Sequence, residues 1–123
     1  MAANILVVDD DRLNRELIAK ALRKDGHRVV EACDGALGLE ILQALSFDLV
    51  ITDFVMPKLN GIEFVERLHS LQPSLPILFI TGYLSIISDK TMLNDVAGIL
   101  GKPFELETLR STVQHLLIDS ATH

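Results

Sequence analysis

Ile5-Leu6-Val7-Val8-Asp9-Asp10 is an apolar run closed by two carboxylates, and Leu49-Val50-Ile51-Thr52-Asp53 is a second run closed by one. Each run is short, rich in β-branched residues and almost unbroken. A strand buried on both faces of a parallel sheet reads this way. The residue just past such a strand points into the crevice at the carboxyl edge of the sheet, where α/β folds bind ligands. Three carboxylates meeting there repel one another. They require a bound cation, a lysine, or a proton on one of them. The chain offers a lysine from a third strand end, Lys102, and a hydroxyl from a fourth, Thr81.

Working outward, strand-like runs at 4–8, 28–31, 48–52, 76–80 and 97–100 alternate with amphipathic segments. In 12–24, Leu13, Leu17 and Ala21 recur every fourth residue, with Ile18 and Leu22 alongside; in 35–45, Leu37, Ile41 and Leu45 do the same. The expected faces of 60–71 and 105–118 are Phe64, Val65, Leu68 and Leu71, and Leu106, Leu109, Val113 and Leu116. Segment 84–95 carries Ile86, Ile87, Met92 and Leu93 without a clean stripe, which predicts the most mobile helix. Asp25-Gly26 reads as the end of the first helix, while Asp34-Gly35 and Asn60-Gly61 open the second and third. Pro73 and Pro76 bracket the turn into the fourth strand. Such alternation predicts an α/β domain, a parallel sheet with helices on both faces, and right-handed crossovers leave few topologies. The reading is one domain over 1–123, with a core at about 4–118 and a frayed tail from Asp119.

Composition narrows the function. The 123 residues suffice for one core, and 49% hydrophobic content argues against disorder. Seventeen acidic and 11 basic residues give a net charge of -6, which opposes direct nucleic-acid binding. The one cysteine, Cys33, has no internal partner and is expected to be packed or inert, in a reducing, cytoplasmic setting. No apolar stretch approaches the roughly 20 residues of a membrane span, and no signal peptide is read at the N-terminus. His27, His69, His115 and His123 have no metal-ligand spacing and are expected at the surface. The glycines form no nucleotide-binding pattern.

Each acidic-site residue also has an ordinary reading. Asp9 and Asp10 suit helix caps, and Asp53 suits a turn before Pro57. Thr81-Gly82 suits a strand-end turn, and Lys102 a solvated lysine before Pro103. Their joint order speaks otherwise. Val7-Val8-Asp9-Asp10, Asp53 followed by Met56-Pro57 and Gly61, Thr81-Gly82, and Lys102-Pro103-Phe104 together resemble the receiver domain of bacterial two-component response regulators. The likeness spans about residues 4 to 118.

The resemblance implies a doubly wound, flavodoxin-like five-stranded parallel sheet of order 2-1-3-4-5. It implies that Asp53 accepts a phosphoryl group from a phosphohistidine of a histidine kinase or histidine phosphotransfer protein. It assigns Mg²⁺ to Asp10 and Asp53, with Asp9 assisting partly through water and the Val55 backbone carbonyl completing the protein ligands. Lys102 and Thr81 would contact phosphoryl oxygens, and Lys102-Pro103 would be cis. The only chemistry implied is the chain's own phosphorylation and dephosphorylation. The switched surface would serve a downstream target, a fused output domain or a second copy, and the chain is either free-standing or part of a larger regulator.

The pattern is broken at one position. Ile99 stands where the family usually has Tyr or Phe, which puts the usual threonine–aromatic switch in doubt; Tyr83 is a candidate substitute. Gly82 is expected to keep the site entrance small. Val55 and Tyr83 are expected to shield the acyl phosphate from water. Two other functions fit less well. An Mg²⁺-dependent aspartyl-phosphate phosphohydrolase would carry an acid where Val55 stands, and a receiver used only for docking would not need the full set of polar residues.

Overall fold

The β-branched runs become strands because their side chains pack well on a pleated surface. In the computed structural model, which describes residues 2–53, 61–82 and 96–121, the strands are β1 (Asn4–Val8), β2 (Arg28–Ala32), β3 (Leu49–Asp53), β4 (Ile77–Thr81) and β5 (Gly98–Gly101). They form one parallel sheet of order β2-β1-β3-β4-β5, the expected 2-1-3-4-5. The described helices are α1 (Arg12–Lys24), α2 (Gly35–Ala44), α3 (Gly61–Leu71) and α4 (Leu106–Ala121). Segment 84–95 lies outside the described residues.

Alternation along the central strands sorts the core into two layers. Leu6, Val8, Val50, Ile77 and Phe79 pack with Leu42 of α2 and with Phe64, Val65 and Leu68 of α3. Ile5, Val7, Leu49, Ile51, Leu78 and Ile80 pack with Ile18 and Leu22 of α1 and with Leu109, Val113 and Leu117 of α4. β3 and β4 are buried along their whole length, which is why their sequences are continuous rather than alternating.

The helix faces differ from the sequence expectation. Leu13 is 78% exposed and Leu17 49%, and α1 buries Ile18, Ala19 and Leu22 instead. Leu37 and Leu45 also face solvent, while α2 buries Gly35, Gly38 and Leu42. A Cβ added at Gly38 would lie 3.1 Å from Val8 Cγ2 and 3.3 Å from Phe64 Cε1, so this glycine lets α2 sit close to the sheet and to α3. In α3, Leu71 is exposed; in α4, Leu117 takes the buried place expected for Leu116, which is only partly buried.

Local chemistry sets the helix ends. The Asp11 carboxylate accepts from the Leu13 and Asn14 N–H groups at the start of α1, and that of Asp34 accepts from Leu37 at the start of α2. After α1, the His27 N–H donates to Leu22 O and the Gly26 N–H to Arg23 O. This is a Schellman ending, and Gly26 supplies its left-handed residue at φ 94.

His27 is half-buried, and its Nδ1 accepts from the Ala3 N–H at 3.1 Å, tying the start of β1 to the turn before β2. Burial pulls its pKa below 6.5, and Asp25 opposes this more weakly. The unfolded chain therefore binds the proton more readily. The stability that neutral His27 supplies is present above its unfolded pKa and is lost as pH falls through the folded one. Urea unfolding across a pH series is expected to show stability declining as pH drops below 6.5. His27→Gln, which keeps an acceptor but does not titrate, should flatten this part of the curve; identical slopes would refute the assignment.

Candidate functional site

The sheet brings all the polar strand ends to one edge. Asp53 is the last residue of β3 and Thr81 the last of β4. Asp9 follows β1, and its N–H donates to Ala32 O at 3.1 Å, extending the β1–β2 ladder by one step. Lys102 follows β5, and its N–H donates to Thr81 O at 2.8 Å, extending the β4–β5 ladder likewise. The ladders thus aim these residues before any contact between their side chains.

One carboxylate oxygen from each of Asp9, Asp10 and Asp53 lies within 4.8 Å of the others. Asp9 is 2% exposed and Asp53 8%, whereas Asp10 is open to solvent. Lys102 Nζ donates to Asp53 Oδ2 at 2.7 Å. Two of the ordinary readings fail here: the cap of α1 is Asp11 rather than Asp9 or Asp10, and Lys102 is paired rather than free in solvent. Thr81 is buried at the same edge.

The charges strain against one another. Burial raises the Asp9 pKa and the Asp53 carboxylate adds to this; the Asp11 N–H, Lys102 and Asn14 pull it back in part. Burial disfavours the charged Lys102 ammonium, but the hydrogen bond to Asp53 and the charges of Asp53, Asp9 and Asp11 together hold its pKa above the usual value. One lysine faces three carboxylates, so the site retains an excess of negative charge. A small divalent cation with oxygen preference suits such a donor set.

Lys102-Pro103 is cis, as expected. Ile99 sits in β5 opposite Phe79 and is partly buried against the α2–α3 layer. A Cβ at Gly82 would meet Lys102 Cβ at 3.9 Å, an ordinary contact, so among the described residues nothing demands glycine there. Val55, Met56, Pro57 and Tyr83 lie outside the described residues, and so does the shielding expected of Val55 and Tyr83. Cys33 is exposed rather than packed, one residue past β2.

Sequence reasoning missed residues that hold Asp9. The Asp11 N–H donates to Asp9 Oδ1 at 2.9 Å, Asn14 Nδ2 to Asp9 Oδ2 at 3.1 Å, and Arg15 Nη1 to the Asp9 carbonyl at 2.8 Å. The available signal was helix geometry: side chains in the first turn lean towards the N-terminus, back over the loop that carries Asp9.

The chain and its fold have known relatives. The family model for the response regulator receiver domain matches residues 5–114. The chain is 39% identical over 116 residues to the response regulator receiver protein CpdR of Brucella abortus, covering 93% of this chain and 96% of CpdR. It superposes on the chemotaxis response regulator CheY4 of Vibrio cholerae with a TM-score of 0.87 at 34% identity, over 94% of this chain and 99% of that one. It also superposes on the response regulator protein TrrA from Thermotoga maritima, solved in complex with Mg(2+)-BeF, with a TM-score of 0.85 at 29% identity, over 92% and 97% of the two chains. Other relatives are longer: the chain spans 51% of several curated ones and 28% of a solved one. With its fold and acidic edge in view, the chain belongs to the response regulator receiver domain family. It is a receiver domain of two-component signalling. Among the described residues no helix is long and apolar enough to cross a membrane.

Proposed function

We propose that Asp53 is the phosphoacceptor of this domain. The carrying observation is the charge pattern: a buried carboxylate held at 2.7 Å by Lys102, beside two further carboxylates that form a cation-ready cluster. An Asp53 oxygen attacks the phosphorus of a phosphohistidine on a histidine kinase or phosphotransfer protein. The new P–O bond makes an acyl phosphate as the P–N bond breaks, and the imidazole leaves with the electron pair and takes up a proton. A carboxylate is a competent nucleophile, and phosphoryl transfer requires mainly positioning and charge neutralisation.

Asp10 and Asp53 would hold Mg²⁺, with Asp9 assisting through water and the Val55 carbonyl as a further ligand. Bound there, Mg²⁺ would neutralise charge on the phosphoryl oxygens. The Mg(2+)-BeF bound by TrrA supports this choice of cation. Lys102 supplies the opposing positive charge, and Thr81 a hydroxyl donor at the neighbouring strand end. The domain also loses the phosphoryl group by its own hydrolysis. Its setting is the cytoplasm, and the modified edge alters a surface read by a downstream protein, a fused output domain or a second copy.

The test is labelling with acetyl phosphate, read by intact mass. Adduct formation is expected with millimolar Mg²⁺ and is expected to vanish in EDTA. Labelling undiminished by EDTA would remove the metal from the mechanism.

A further inference from the structure

A chain of charged groups runs from β2 to the loop that carries the acidic cluster. Arg23 Nη2 donates to Val29 O at 2.9 Å, and its Nη1 meets Glu31 Oε2 at 3.3 Å. The other oxygen of Glu31, Oε1, meets Arg15 Nε at 3.3 Å. Arg15 Nη1 then donates to the Asp9 carbonyl at 2.8 Å. The Arg15 side chain is 15% exposed and that of Glu31 24%, so the inner link is mostly shielded from solvent.

The guanidinium makes this link work. It is planar, always charged, and presents donors on two edges at once. One edge grips Glu31 on the sheet; the other grips the main chain of Asp9. That carbonyl belongs to the Asp9–Asp10 peptide, so fixing it fixes the direction in which the two side chains leave the loop. The β1–α1 loop is otherwise held at Asp9 by the ladder bond to Ala32 and by the contacts of Asp11 and Asn14 to the carboxylate. None of these bonds the Asp9 carbonyl. Among the described residues the Asp10 carboxylate has no hydrogen-bond donor, so its aim depends on the peptide plane before it.

We infer that Arg15 is a positioning residue for the metal site, acting through the Asp9–Asp10 peptide, with Glu31 and Arg23 as its anchor. The inference rests on the reading of Asp9, Asp10 and Asp53 as the Mg²⁺ site. Arg15 touches neither the cation nor the phosphoryl group.

The experiment is calorimetric titration with Mg²⁺ alone, without a phosphodonor, alongside thermal unfolding in EDTA. Arg15→Met is expected to weaken Mg²⁺ binding about tenfold, the lower end of what losing an outer-shell partner costs a metal site. Arg15→Lys, which keeps the positive charge and one donor group but not the two-edged fork, should recover only part of this. Glu31→Gln should weaken binding by a smaller factor, because it loosens the anchor but leaves the arginine. Arg110→Met is the control. It removes an ion pair of 2.6 Å to Asp25 in a different part of the fold, and should lower thermal stability with no change in Mg²⁺ affinity. If Arg15→Met and Glu31→Gln behave like this control, the clamp is structural only and the inference is overturned. Should Arg15→Met fail to fold, unchanged affinity in Glu31→Gln overturns it equally. If wild type binds no Mg²⁺, the site reading falls and the inference with it, an outcome distinct from wild-type binding that the variants leave untouched.

Discussion

The phosphoryl adduct is expected to disappear in Asp53→Asn. The amide has nearly the shape of the carboxylate, and its oxygen still accepts from Lys102, so the fold should survive. What it loses is nucleophilicity: the amide oxygen carries no full charge to donate to phosphorus. The change also removes one of the three negative charges of the cluster, which should weaken Mg²⁺ binding without abolishing it. Intact mass after acetyl phosphate treatment is the measurement. Wild type should carry an adduct that is labile in acid and base, and Asp53→Asn none. An adduct at wild-type yield would mean a different nucleophile, with Asp10 the first suspect, because its carboxylate shares the cluster and is open to solvent.

Lys102→Ala should produce the second large effect, and its size depends on the cation present. The lysine side chain is 28% exposed and that of Asp53 10%, so the pair is partly desolvated. Removing one partner of a fully buried pair costs about 3–5 kcal/mol; discounted for the solvent that reaches the lysine, the expected loss in EDTA is about 2 kcal/mol. The three carboxylates then have no ammonium to offset them. Mg²⁺ binds to the folded state and stabilises it in proportion to its affinity, and with a competing positive charge gone that affinity should rise. Urea unfolding with and without Mg²⁺ should therefore show a larger Mg²⁺ stabilisation in Lys102→Ala than in wild type. The variant should still accept a phosphoryl group but fail to change conformation with it, since the contact that senses it is lost. Equal stability of variant and wild type under both conditions would mean that Lys102 is not the compensating charge.

Ile99 bears on how any such change spreads. It stands opposite Phe79 and is partly buried against the α2–α3 layer. An isoleucine has no polar end to gain from facing water, unlike the tyrosine common at this position in the family. Its branched Cβ also restricts the rotamers it can exchange between. A switch that works by swinging residue 99 is therefore poorly suited to this chain.

Much of the molecule was legible from residues alone, because the causes are local. Ile5 to Val8 and Leu49 to Thr52 read as buried strands, since short, nearly continuous apolar runs rich in β-branched residues suit burial on both faces of a parallel sheet. Ending such runs in aspartate places the acids at the sheet edge whatever the helices do. The turns after α1 and before α2 followed from Gly26 and Asp34, whose backbone preference and side-chain oxygen act within a few residues. The rotation of the helices was another matter. Leu13, Leu17, Ile18 and Leu22 line more than one side of α1, and periodicity alone cannot choose between neighbouring stripes. Packing chose Ile18, Ala19 and Leu22, whose face is buried against the sheet and α4, and it left Leu13 and Leu17 exposed. The support of Asp9 was hidden for a related reason. Arg15 and Glu31 carry no local signal of a partnership; they meet because the parallel pairing of β1 with β2 brings Glu31 beside α1. Ladder register, a property of the assembled sheet, decided that contact.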